Sequence, residues 1–537
     1  MRFLVLGLVL TVASPGQFHH LATTEHGDDV FFVTPLRQTG TSQASYDKIF
    51  VLGQTGPRLL FVPGSQGPPL GPNRPTALMV TGDGTEIAFD LDIPCIGGSS
   101  CFLRERSAGY LLSGGGDDPT YTAPYVRMSR NGRFLLTWSS PGIMLRQPAI
   151  TDRSTGGQTS FGGIAPVDGR IASDGSALFA TYQGLIHISP SGVDRLYPAE
   201  GITRAALSDS GGVAFYETSG RRLVVLDLVT GTSAPLGPGD RASYGASVSD
   251  DGRWVLYVSV IGETPQVFHS RLDGTAWRQL TVSAEGVSEA VLSGDGAVAW
   301  VSTLDGRLLQ IQTGTGEIAE VLAPPSIGEV GGQVVPGSLL HIEGKRLGGD
   351  VHLNGRPAAI YAADATDIFA QVPWDLAEEP GSSVILSVAR ADSLLEVATP
   401  EHSLSYRIFF PTAFLPPVHE DWSGFVTPES PAAPGEVIHI YAVGLGPVDC
   451  PVRTGEPAAL DRLCGPVTPI QWDYWWTSTD SLPAEVTFAG LAPGMVGLYQ
   501  VEARVPLDPP ADRLKLIANR FGLFVVADFM VHLRARP

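Results

Sequence analysis

One short phrase recurs along the first three-fifths of this chain and constrains the fold more than any other feature. Its best-formed copy is Ser249-Asp250-Asp251-Gly252, leading into Trp254-Val255-Leu256-Tyr257-Val258-Ser259. Asp-Gly and Asn-Gly pairs supply the positive-φ positions that a tight hairpin needs. The apolar run behind the turn does not alternate, which predicts a strand buried on both faces. The turn glycines are Gly27, Gly84, Gly132, Gly175, Gly211, Gly252 and Gly296, with spacings of 57, 48, 43, 36, 41 and 44 residues.

A period of about 40–50 residues with several strand-like runs per unit predicts a β-propeller. Further hairpins fall between the turns, as in Arg222–Leu228 before Thr230-Gly231, and Leu308–Ile311 before Thr313-Gly314. Seven turns predict about seven four-stranded blades over residues 17–323. The Ser-x-Asp-Gly turn running into a hydrophobic strand, clearest at Gly175, Gly252 and Gly296, resembles the TolB-type (WD40-like) propeller repeat. Within such a series the Asp250 and Asp251 carboxylates are expected to serve turn geometry rather than a reaction.

Composition narrows the class. Gly (63) and Pro (43) are abundant without a Gly-X-Y period, and 43% of residues are hydrophobic, which leaves an all-β chain rich in turns. The net charge is −20 and no Lys/Arg run occurs, so a nucleic-acid partner is excluded. Met1-Arg2, the apolar run Phe3–Ala13 and the small residues Ser14 and Gly16 predict a signal peptide over residues 1–16 and an exported protein, periplasmic or extracellular. No later segment has the ~20 apolar residues of a membrane span. The cysteines form two close pairs, Cys95/Cys101 and Cys450/Cys464, and export predicts two local disulfides. Neither pair has zinc-knuckle spacing.

After Ala323-Pro324-Pro325 the strands lengthen. Val335–Ile342, Val351–Ala358, Ile368–Pro373 and Ser383–Val388 predict one Ig-like sandwich, residues 324–408. A second sandwich, 409–534, repeats the plan: Ala433–Tyr441 parallels Val335–Ile342, and Leu498–Pro506 parallels Ile368–Pro373. His341 and His439 fall at equivalent positions and are expected on strand faces. The runs Ala433-Pro434-Gly435-Glu436, Tyr441–Pro447, Phe488–Gly494 and Gly497–Val501 resemble the Solibacter-type C-terminal domain of secreted acidobacterial proteins. Glu502 stands where that family usually has Asn. The resemblance implies an exported, non-enzymatic module joined to a propeller.

Chemistry was sought and not found. No Gly-x-Ser-x-Gly elbow, His-Glu-x-x-His, P-loop or Rossmann glycine pattern occurs, so no catalytic residue, metal site or cofactor is expected. His19-His20 reads as a solvated arm. Trp472, Tyr474, Trp475 and Trp476 are the candidate binding surface, since amphipathic rings pack on sugar faces or partner proteins. The expected function is binding of an envelope or extracellular protein or glycan. The alternatives are a propeller lyase or glycosidase, which needs converging carboxylates, and a TolB-like periplasmic assembly partner.

Overall fold

The structure, a computed structural model, describes residues 10–11, 18–34, 37–38, 47–62, 74–92, 107–113, 119–123, 125–138, 147–164, 166–192, 194–236, 242–273, 275–389, 395–398, 404–407, 412–413, 415–520 and 523–533. Cys95, Cys101 and all of residues 1–16 but Leu10–Thr11 lie outside them; Leu10–Thr11 pairs as a two-residue strand with Glu329 and Val330. Among the described residues every regular element is a strand, and no helix is long and apolar enough to cross a membrane. The chain divides into two compact units, one over Gly16–Pro324 with Ser393–Leu395 and one over Met1–Pro15, Pro325–Asp392 and Glu396–Pro537.

The first unit is built from four-stranded antiparallel sheets, each made of four successive strands except the first, which skips the two-residue strand Arg37–Gln38. Among the described residues seven such sheets follow one another, beginning with His19–Thr23, Arg74–Val80, Tyr125–Met128, Asp168–Ile171, Ile202–Leu207, Ser243–Val248 and Val287–Leu292. They are called sheets one to seven here. The first strand of each sheet packs near the first strand of the next, and sheet seven packs against sheet one. The arrangement is a β-propeller, with the first strands innermost.

The buried run after each turn is the second strand, and its lack of alternation has a direct cause. In Ala177–Thr181 every residue is buried. Ala177 and Phe179 pack with Phe134, Leu136 and Trp138 of sheet three, whereas Leu178 and Ala180 pack with Ala205, Ala214 and Leu226 of sheet five. Trp254–Ile261 does the same, sending Val255 and Tyr257 toward sheet five and Leu256 and Val258 toward sheet seven. A strand apolar on both faces fits only between two sheets. Burial fades outward, and the fourth strand Gly157–Ser160 is exposed throughout.

The turns hold the first two strands together. All seven turn glycines have φ between 69° and 89°. The Ser249 hydroxyl donates to Asp251 Oδ1 (2.7 Å) and accepts from Trp254 N–H (3.0 Å), while Asp251 Oδ1 also accepts from Arg253 N–H (2.9 Å). Ser129 with Asn131, and Ser293 with Asp295, repeat the pattern.

The second unit contains two paired-sheet regions. In one, Leu339–Lys345 pairs with Asp367–Gln371, and Ile342, Ile368, Leu353 and Val388 are buried. In the other, Val437–Val443 pairs with Tyr499–Arg504, and Gln471–Trp475 pairs with Arg513–Arg520. The inner faces of these two sheets share one core containing Ile438, Ile440, Val501, Trp472, Tyr474, Leu514 and Leu516. The Cys450–Cys464 disulfide forms, with its Cα atoms 5.5 Å apart.

Two outcomes follow. Ser249 is fully buried, so Ser249→Ala leaves the Trp254 N–H unpaired and lowers stability by about 1–3 kcal/mol in urea unfolding. His269 is buried and stacked on Trp254, and burial, helped by Arg278, pushes its pKa from 6.5 down to about 4. The folded state therefore resists a proton that the unfolded state accepts, and stability falls as pH drops from 6.5 toward 4. Thermal melts of His269→Gln are expected to show a shallower acid slope than the parent chain.

Candidate ligand-binding site at the propeller channel

The seven turns are tied into a closed circuit. Glu25 N–H donates to Gly82 O (2.8 Å), Gly82 N–H to Arg130 O (2.8 Å) and Asn131 N–H to Ser173 Oγ (3.1 Å). Ser173 N–H donates to Asp209 Oδ1 (2.9 Å), Ser210 N–H to Asp250 O (3.1 Å) and Asp250 N–H to Gly294 O (2.7 Å). Asp295 N–H closes the circuit on Glu25 O (2.9 Å). The residue at the second position of each turn, ahead of the His, Asp, Asn or Ser that precedes the glycine, thus faces the ring's end. These residues are Glu25, Gly82, Arg130, Ser173, Asp209, Asp250 and Gly294.

Six of the seven line one depression of about 910 Å³, together with Thr81, Thr85, Glu86, Arg133 and Arg153. Arg130 reaches across this mouth from sheet three. Its Nη1 donates to Thr23 O (2.6 Å) on sheet one, and its Nε lies 3.4 Å from Asp250 Oδ2 on sheet six. Its Nη2 is buried without a hydrogen-bond partner. A side chain at Gly294 would collide with Asp250 and crowd Arg130, so the glycine makes room for this crossing. Arg153 and Glu86 pair at the rim (2.5 and 2.7 Å).

The expectation that both acids of Asp250-Asp251 serve the turn holds for Asp251 only. Asp250 points into the mouth. Burial pushes its carboxyl above the usual range; Arg130 opposes this, and Asp209 and Glu25 add to it. Of the residues at the second turn position, three carboxylates, Glu25, Asp209 and Asp250, thus stand against the one guanidinium of Arg130, while Arg133 and Arg153 are paired with Asp152 and Glu86. The mouth suits a cationic group such as an amine or a second guanidinium. Among its described lining residues there is no aromatic ring, and the polar groups are carboxylates, guanidiniums and Ser/Thr hydroxyls with the Asn131 amide.

The other expected site residues are placed as follows. Gln471–Trp475 is a strand, so its side chains alternate. Trp472 and Tyr474 face inward, 6% and 0% exposed, and Trp475 and Trp476 are half-buried. The expected surface of four rings is corrected accordingly: two of the rings are core. His19-His20 is likewise no solvated arm, because His19–Thr23 is the innermost strand of sheet one.

His341 sits on a strand face, with Nε2 2.9 Å from Asp367 Oδ1 and Nδ1 3.4 Å from Glu343 Oε1. One donor atom from each of the three lies within 4.8 Å of the others. Both ring nitrogens already face carboxylates, and the arrangement reads as an ion-pair cluster.

The aromatic surface that the sequence did not reveal is at Trp422. Its ring is exposed, its φ is 60°, and it stacks on His439 with centroids 4.4 Å apart. Beside it Tyr441 OH donates to Gln500 Oε1 (3.4 Å), and Gln500 Nε2 donates to Glu502 Oε1 (3.0 Å). His419 Nδ1, 2.7 Å from Glu436 Oε1, and the Trp422 N–H bond to His419 O (2.9 Å) brace the loop. A lone Trp in a polar loop carries no periodic signal.

Comparison with known proteins yields folds, not a family. No family model matches the chain, and no curated protein does. Among solved structures, TolB from Acinetobacter baumannii is 18% identical, covering 47% of this chain and 62% of its own, with a TM-score of 0.32. The Myceliophteria thermophila Cps50 (Swd1) β-propeller domain is 16% identical over 50% of this chain and 93% of its own, TM-score 0.34. A prolyl endopeptidase structure is 12% identical over 71% and 55%, TM-score 0.41.

Arg130→Ala removes the bar across the mouth and leaves three carboxylates facing one another. The expected result is a loss of about 1–3 kcal/mol at neutral pH in urea unfolding, recovered in part as pH falls and the acids take up protons.

Proposed function

We propose that this chain is an exported, non-enzymatic binding protein. In this reading a seven-bladed propeller over residues 17–323 presents its turn-side mouth to a protein partner through a basic side chain. Two Ig-like sandwiches, 324–408 and 409–534, serve as spacer or docking modules. The observation that carries it is the rigid acidic ring: Glu25, Asp209 and Asp250 stand on turns hydrogen-bonded sheet to sheet, so their geometry is set before any ligand arrives. The Cys450–Cys464 disulfide supports an oxidising destination. The resemblance of residues 433–501 to the acidobacterial C-terminal domain supports the same destination. A TolB-like envelope partner is a special case of this reading.

A glycan reading is favoured by one feature, the braced, exposed Trp422 ring beside Gln500 and Glu502. The enzyme reading is favoured by one other, the raised carboxyl of Asp250 among neighbouring acids.

The three separate in one experiment. The full chain is presented with basic, neutral and acidic peptides and with neutral oligosaccharides, and the mixtures are checked by mass spectrometry. Basic peptides are expected to bind unchanged in mass, with at least about tenfold weaker binding in the Asp209→Asn/Asp250→Asn variant. Oligosaccharide binding lost in Trp422→Ala would favour the glycan reading. Cleaved product would overturn the non-enzymatic one.

A further inference from the structure

The outer face of the second sandwich carries rings and acceptors side by side. In Val437–Val443 the side chains of Ile438, Ile440 and Ala442 enter the core, so His439 and Tyr441 stand on the outer face. The register sets Glu502 opposite His439 and Gln500 opposite Tyr441. On the other flank Val418 bridges to both His439 and Phe425. Directly opposed residues of an antiparallel ladder share a face. Phe425, 45% exposed, therefore points the same way as His439.

Trp422 lies over this face. Its ring stacks on His439 with 18° between the planes, has its centroid 6.3 Å from that of Tyr441, and stays 57% exposed. At φ 60° its backbone is in the left-handed region, which a bulky side chain rarely adopts. Such strain persists only where the surroundings hold it, and it collects at ligand-binding points. Here the hold is visible. His419 N–H donates to Gly424 O (3.0 Å) and Trp422 N–H to His419 O, which closes the turn. The His419 ring is fixed between Glu436 on Nδ1 and Ser430 O, 3.0 Å from Nε2. Glu436 also accepts from the N–H groups of Glu420 (3.3 Å) and Ala433 (2.7 Å). The ring is thus set before any ligand arrives.

The surroundings define the ligand. Two exposed rings on one open face suit a flat partner, whereas a compact cation is best held by rings closed around it. Glu502 accepts from Gln500 Nε2 (3.0 Å) and Thr487 Oγ1 (3.5 Å), and a carboxylate keeps further lone pairs for hydroxyl donors. The charges near Trp422 are acidic. Glu420 and Asp421 precede it, Glu502 stands next to His439, and Arg504 is engaged by Glu485 (3.1 Å) and Gly435 O (3.0 Å). An anionic ligand would be repelled.

We propose that Trp422, Phe425 and Glu502 form a binding site for an uncharged, extended β-linked glycan. Its C–H faces lie on the two rings and its hydroxyls donate to Glu502. An extended β-linked chain presents flat faces in a row, and a coiled α-linked chain does not. The proposal rests on the glycan reading of Trp422 and adds the ligand class and the second ring. It is independent of the acidic mouth.

Isothermal titration of the full chain tests this with cellohexaose, chitohexaose, maltohexaose, an oligogalacturonate and a basic peptide. Cellohexaose or chitohexaose is expected to bind, and maltohexaose and oligogalacturonate are not. Trp422→Ala should weaken that binding at least about tenfold with an unchanged melting curve, and Trp422→Phe should retain part of it. Phe425→Ala and Glu502→Gln should each weaken it less. Trp277→Ala, at an exposed ring of the propeller, and Asp209→Asn, at the mouth, should leave it intact. If maltohexaose or oligogalacturonate binds through Trp422 and the two β-linked chains do not, the glycan reading stands and this ligand class is overturned. If no oligosaccharide binds at about 10 mM, both fall. The site is also overturned if Trp422→Ala binds the β-linked chains as the parent does, or if Trp422 proves to be needed for the basic peptide alone.

Discussion

A buried hydroxyl organises the propeller unit. Ser129, Ser208, Ser249 and Ser293 are fully buried, each between the two strands its turn connects. The hydroxyl accepts the first amide of the second strand, and three of the four donate to the Asp or Asn two residues on. A polar group taken out of water must find partners or cost several kcal/mol, and here the turn supplies them. With the turn fixed, the second strand enters the space between two sheets at a set angle. The glycine at positive φ lets the chain make that reversal without strain.

The same fixation gives the ring its chemistry. Because the Ser and the Gly are committed to geometry, the residue between them and the cap is free to vary. It is Glu, Gly, Arg, Ser, Asp, Asp and Gly around the circuit. The two glycines leave space, the three acids supply charge, and Arg130 crosses between them. Further in, guanidiniums and carboxylates pair, Arg127 with Asp90 and Arg170 with Asp168.

Much of the propeller was readable because its signals are local. Turn glycines and two-faced apolar runs act within ten residues, so sequence displays them directly. The mouth is built by residues up to 270 positions apart, such as Glu25 and Asp295, and no single stretch shows it. Aligning the seven turns would have exposed the variable column, and Asp250 was hidden only because its neighbour Asp251 plays the turn role. The Trp472–Trp476 error has a simpler cause. Aromatic density is a property of composition, whereas the two-residue step between Trp472 and Tyr474 is that of one buried strand face. Trp422 was missed because its exposure depends on a loop braced by His419 and Glu436, which lie on different segments.

Each propeller sheet is made from strands near one another in sequence, and among the described residues none borrows a strand from the other end of the chain. The seam between sheets seven and one is closed by the Asp295–Glu25 backbone bond, by Trp300 Nε1–H on Gly27 O (3.0 Å) and by Glu289 on the amides of His20 and Leu21. It uses the same kinds of contact as the other six junctions. The ring therefore has no privileged starting point. A gene rewired to begin at another outer loop would keep every strand pairing, and a whole repeat could be duplicated or lost without unpicking a sheet.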